Sequence, residues 1–131
     1  DIIKNGGIKR AVLGLSYFER NPSRIEAEKS GIPYIESGVI ILDVPKDSPA
    51  YIAGLKGSNV KNTQNGTLGD VIVGIDEYKI NDSQDLLTVL DLKKPNDKIN
   101  IHIMRNQTRI TLPLTLGSLE VNAFTKLERS K

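Results

Sequence analysis

Apolar residues in this chain come in short runs separated by Gly, Pro, Asn and Asp, a pattern that predicts several strands and few helices. The clearest strand is residues 38–44, Gly-Val-Ile-Ile-Leu-Asp-Val, which is β-branched and bounded by Gly38 and Pro45. It does not alternate, so it is expected to be covered on both faces. Residues 70–75 return to strand, and Asp76-Glu77 turns the chain into a short strand over 78–80. Residues 99–103 alternate strictly and 108–116 more loosely, with Arg105-Asn106-Gln107 as their hairpin connection. Around Gly14, residues 8–18 read as strand, loop and strand.

Helix signals are fewer. Asp47 or Ser48 caps a short helix with Pro49 at its first position, where the missing N–H does no harm, and Gly54 stops it. The strongest helix starts at Asp82 or Ser83 and runs to about Leu92. Leu86, Val89 and Leu90 share one of its faces, while Ser83, Leu87 and Leu90 form the edge of that stripe. Residues 19–37 read as a polar surface excursion, within which Ser23 can cap a brief helix ended by Gly31. Residues 56–69 predict a mobile loop, and 117–131 a tail of uncertain order. The sum is a mainly β chain of five or six strands with two short α-helices. A small, partly open barrel or sandwich closed by helices fits it best.

Composition narrows the chemistry. The 131 residues suffice for one domain with its own core, without disulfides or metals. Without cysteine there is no thiolate metal site, and His102 alone cannot build a multi-histidine centre. Net charge is +2 with both signs interspersed, which argues against nucleic acid as a partner, and no apolar run is long enough to insert into a membrane. No Gly-x-Ser-x-Gly, Walker or dinucleotide motif occurs, so catalysis by this chain alone is not expected, nor is any cofactor. Asp70 and Asp76 flank a strand and read as turn residues, and His102 reads as a side chain on the polar, solvent-facing side of its strand.

One stretch suggests binding. In residues 9–16, Lys-Arg-Ala-Val-Leu-Gly-Leu-Ser, a turn at Gly14 would aim successive N–H groups at one point, and such nests hold anions. Leu13 and Leu15 would add apolar walls, a combination that suits a peptide C-terminus. By pattern alone, the reading of Leu13, Leu15, Leu87 and Leu90 as plain core leads, and Arg10 reads first as a solvated cation.

The order of these signals resembles a PDZ domain, and more closely that of the HtrA/Deg serine proteases. Residues 10–15 resemble the family's carboxylate-binding loop. Ser48-Pro49-Ala50 with Ala53-Gly54-Leu55 is similar to its Ser-Pro-Ala-x-x-Ala-Gly-Leu helix. Gly69-Asp70-Val71-Ile72 with Ile75-Asp76 is similar to its Gly-Asp-Val-Ile-x-x-Ile-Asn-Gly segment, and Asp85-Leu86 with Leu90 to the helix lining the peptide groove. The resemblance implies the permuted HtrA-type topology. It divides the chain into a linker at 1–8, following an absent protease domain, a PDZ domain at 9–116 and a tail at 117–131. Three departures stand out: Glu77 where the family usually has Gly, a lengthened 56–68 link, and an enlarged 19–37 connection. The second leans toward plant or cyanobacterial members, so the resemblance implies plastid or bacterial periplasm.

By the same resemblance, a ligand's last residues add a strand beside Ser16, Tyr17 and Phe18. The N–H groups of Leu13, Gly14 and Leu15 take its carboxylate, with Arg10 adding attraction through water. Leu13, Leu15, Leu87 and Leu90 form the pocket for its last, apolar side chain, and Ser83 faces its third-last residue. The partners implied are protein C-termini or unfolded segments, with a protease domain in a homo-oligomeric parent. A second reading makes the module an assembly element whose groove is filled, for instance by residues 121–124 in cis.

Overall fold

The computed structural model describes residues 8–58 and 67–121, with the backbone alone for residues 8–10 and 119–121. Eight strands and three helices follow one another: β1 (Ile8–Val12), β2 (Ser16–Tyr17), α1 (Arg24–Ser30), β3 (Val39–Asp43), α2 (Pro49–Ala53), β4 (Val71–Ile75), β5 (Tyr78–Lys79), α3 (Ser83–Asp91), β6 (Lys98–Arg105), β7 (Thr108–Thr115) and β8 (Gly117–Val121). The main sheet runs β2-β3-β4-β6-β7, with β5 hydrogen-bonded to β4, and β1 pairs with β8 in a sheet of two. Every pairing is antiparallel. The architecture is therefore mainly β and open-edged, with helices closing it, as the sequence predicts.

The unalternating strand sits where it must. β3 lies between β2 and β4, and Val39, Ile40 and Ile41 are all buried. Ile72, Ile75, Ile80, Leu86, Ile101, Ile103 and Leu116 join Val39 and Ile41 in one core, against which Leu15, Tyr17 and Leu90 pack from its margin. Truncating such a fully buried side chain as Leu86 costs about 2–5 kcal/mol.

Helix ends follow their sequence signals. Ser48 accepts from the Tyr51 N–H ahead of Pro49, and Gly54 closes α2 at φ 98°. Asp82, of the two candidates, caps α3 by accepting from the Asp85 N–H. In α1, Ser23 and Glu26 form a reciprocal capping box, and Gly31 ends the helix at φ 75°. The brief helix is real, which makes three helices where the count from sequence was two.

Four further points differ from, or add to, the sequence reading. Ordered sheet continues past Leu116, because β8 lies along β1 with Val12 opposite Gly117 and Ile8 opposite Val121. The β6–β7 turn is tighter than expected: Arg105 already pairs with Thr108, leaving Asn106 and Gln107 at φ 53° and 68°. At the β4–β5 turn the positive φ falls on Asp76 (53°), so Glu77 escapes the strain its position implied. Residues 59–66 of the expected loop lie outside the described residues, but its ends are anchored. The Ser58 N–H donates to the carbonyls of Ile41 and Leu42, and the Gly69 N–H to Ser58 Oγ.

His102 is a correction. Its ring is half-buried, with Nε2 2.9 Å from the Asp76 carbonyl and Nδ1 2.8 Å from Thr111 Oγ1. A carbonyl only accepts, so Nε2 carries the proton, and a neutral ring then accepts the Thr111 hydroxyl at Nδ1. The cross-strand neighbour Thr111 and the Asp76 turn carbonyl hold the ring between them.

Candidate functional site: an open strand edge beside a helix

Among the described residues, β2 is the last strand on its side of the main sheet, and one row of its backbone groups has no strand partner there. The Phe18 N–H donates to the Ile40 carbonyl, which turns Phe18 toward β3. By strand alternation the polar backbone groups of Tyr17 face the open side, and Glu19 follows in the bend after β2. Helix α3 runs along that side. Its first residue, Ser83, donates from Oγ to the Glu19 carbonyl at 2.7 Å, and the helix also packs on β1.

The loop at the head of β2 is shaped by Gly14, which adopts φ 78°. A Cβ there would lie 2.7 Å from Pro49 Cδ and 3.0 Å from Ser48 Cβ, so the loop closes on the start of α2 only because the side chain is absent. The Ala50 N–H donates to the Leu13 carbonyl and fixes the loop from behind. Among the described residues, no backbone carbonyl accepts from the N–H groups of Gly14 or Leu15. The turn thus leaves donors available at the head of an open strand.

The predicted site residues divide by exposure. Leu13 is buried in the core, whereas Leu15, Tyr17, Phe18 and Leu90 are half-buried and Ser16 is exposed. Leu87 is 47 % exposed while its helix neighbours Leu86 and Val89 are buried. Leu15, Leu87 and Leu90 are therefore the apolar side chains with free surface on the two flanks. Burial, and second the charge of Glu19, push the Tyr17 phenol above its usual range. Of Arg10 only the backbone is described, paired opposite Leu119. Glu19, absent from the predicted set, belongs to the site through its bond to Ser83. Its separation from Ser83 along the chain left no local signal of the contact.

Away from the groove, the fold ties itself together by charge. Asp70, 1 % exposed, accepts Arg105 Nε and Nη2 at 2.8 Å each and the Lys56 N–H at 2.9 Å. Arg105 Nη2 also reaches the Gly54 carbonyl, and the Asp70 hydrogen bonds raise the guanidinium above its ordinary pKa. This ion pair locks the end of α2 to β4 and β6, so Asp70 is a buried ion-pair partner rather than the turn residue its sequence position suggested. Among the described residues, no group of three or more His, Asp or Glu is placed to hold a metal ion, and no helix is long and apolar enough to cross a membrane.

An antiparallel sheet with a free edge at β2, a donor-bearing loop at the head of that strand and a helix beside it is the arrangement to which a peptide can add as a strand. The PDZ domain pattern matches residues 11–116, and the chain belongs to the PDZ family. It is 28 % identical over 115 residues to the chloroplastic Protease Do-like 1 of Arabidopsis thaliana, covering 88 % of this chain and 24 % of that protein. A probable periplasmic DegP-like serine endoprotease of Pseudomonas fulva is 30 % identical, covering 88 % and 21 %. Among solved structures, the HtrA-type protease AlgW with a decapeptide superposes with a TM-score of 0.69 at 26 % identity, covering 89 % of this chain and 32 % of that one. The chain thus spans about a quarter or less of the length of the curated relatives it matches.

Proposed function

We propose that this domain binds the C-terminal residues of protein chains between β2 and α3, and that it serves as the recognition or regulatory module of an HtrA/Deg-type serine protease. The observation that carries this is the unpaired outer edge of β2, headed by the Gly14 turn and faced by exposed Leu87. A ligand strand gains main-chain hydrogen bonds along that edge, its carboxylate meets the N–H groups of residues 13–15, and its last side chain rests on Leu15, Leu87 and Leu90. Cleavage belongs to a separate protease domain. One of these relatives is chloroplastic and one is periplasmic, and the same two compartments are proposed here. The occluded-groove alternative draws no support from β8: Val121 pairs with Ile8, away from β2, and residues 122–124 lie outside the described residues.

Titration against C-terminal peptides, with amidated copies as controls, tests the reading. Binding is expected for an apolar last residue with a free carboxylate, at micromolar Kd, roughly 7–8 kcal/mol. Leu87→Glu should weaken it at least about tenfold while leaving the fold intact, since that side chain is half in water. Equal binding of amidated peptides, or indifference to Leu87→Glu, rejects the groove.

A further inference from the structure

The Ser83–Glu19 hydrogen bond joins the two walls of the groove, and we propose that it is a length gate on the ligand. This inference rests on the groove reading. Edge pairing of an added strand uses the outward groups of alternate residues, here those of Tyr17 in β2 and, past its two ends, those of Leu15 in the loop and Glu19 in the bend. At Glu19 the carbonyl meets Ser83 Oγ at 2.7 Å, so the first residue of the facing helix stands where a further ligand residue would pair. Strand addition therefore stops after the ligand residue paired with Tyr17, unless the hydroxyl lets go. Asp82 is the side chain that caps α3, so Ser83 is released without uncapping the helix. There is room for the chain beyond the gate. The residues after Glu19 and before Ser83 border a cavity of about 400 Å³, into which Tyr34, Ile35 and Gln84 also face. With the gate closed, a ligand's last three residues carry the binding. With it open, the Glu19 carbonyl accepts a further N–H and the upstream residues reach the cavity.

The test compares N-acetylated peptides ending in valine, one of three residues and one of seven with the same C-terminus, each also as its amide. The readout is the ratio of the short to the long peptide's Kd. In the unaltered domain the ratio should lie near unity, and in Ser83→Ala it should rise about fivefold, the size of one net hydrogen bond. Ser83→Thr keeps the hydroxyl and should return the ratio toward unity. A ratio already large in the unaltered domain, or one that Ser83→Ala leaves unmoved, overturns the gate while carboxylate-dependent binding still upholds the groove. If neither peptide distinguishes acid from amide in any variant, the groove reading fails and the gate falls with it.

Discussion

The two ends of the main sheet's inner strands are finished in opposite ways. At the Asp70 end the buried carboxylate is fully answered: it takes two guanidinium bonds and a backbone N–H, and the same guanidinium reaches the last turn of α2. At the β2 end the edge is left open, its flanking leucines are half in water, and a single hydroxyl bridges the gap. The first arrangement is costly to disturb, because removing one member strands a charge out of water. The second is cheap to disturb, and a site that must open and close needs that.

Substitutions test this division, and the largest effect belongs to the closed end. Asp70→Asn removes the charge from a bidentate pair and should lower unfolding free energy by about 3 kcal/mol in a denaturant titration. The peptide Kd of the folded fraction should not change. A parallel loss of affinity would mean that the two ends are coupled after all.

Gly14→Ala comes next and acts on the open end. The added methyl meets Pro49 and must hold φ 78°, so a loss of about 1–2 kcal/mol is expected, together with weakened carboxylate binding. Retained affinity at reduced stability would show that the loop's donors do not hold the carboxylate.

The smallest effect comes from the Asp76 turn, which lies in neither region. Burial disfavours its charge, but the hydrogen bonds from Lys93 and the Asn100 N–H, with the Lys93 and His102 charges, outweigh this and pull its pKa below the ordinary 3.8. The Asp76 bond in turn raises the Lys93 pKa above 10.5. A lowered carboxylate pKa contributes stability above the unfolded value, lost as pH falls from about 3.8 through the lower folded value. A raised ammonium pKa contributes stability below 10.5, lost as pH climbs through the folded value. Asp76→Ala should therefore flatten the stability profile at both extremes, by about 1 kcal/mol for a half-buried pair at the surface.

Features with a local cause were readable from the chain. Val39, Ile40 and Ile41 announce a doubly covered strand, Ser48-Pro49 and Gly54 bracket α2, and Ser23 with Glu26 gives α1 both of its start signals. What escaped reading depends on partners distant in sequence. β8 exists because β1 offers it an edge at the other end of the chain, and Gly-Ser-Leu-Glu-Val has little strand character of its own. His102 is held by a turn carbonyl that only folding brings near. Of the groove, pattern alone read Leu13, Leu15, Leu87 and Leu90 as core, which holds for Leu13; only the family resemblance pointed to a groove, and neither could show that Ser83 already has a partner.

The pairing of Ile8 with Val121 has a mechanical consequence. Tension applied across these two residues pulls at right angles to β1 and β8, so the bonds between the strands would break in sequence, like a zipper, rather than shear together. The main sheet and its groove are spared until that zipper has opened. A domain joined to its neighbours through this pair would yield first at its attachment and keep its binding edge intact under load.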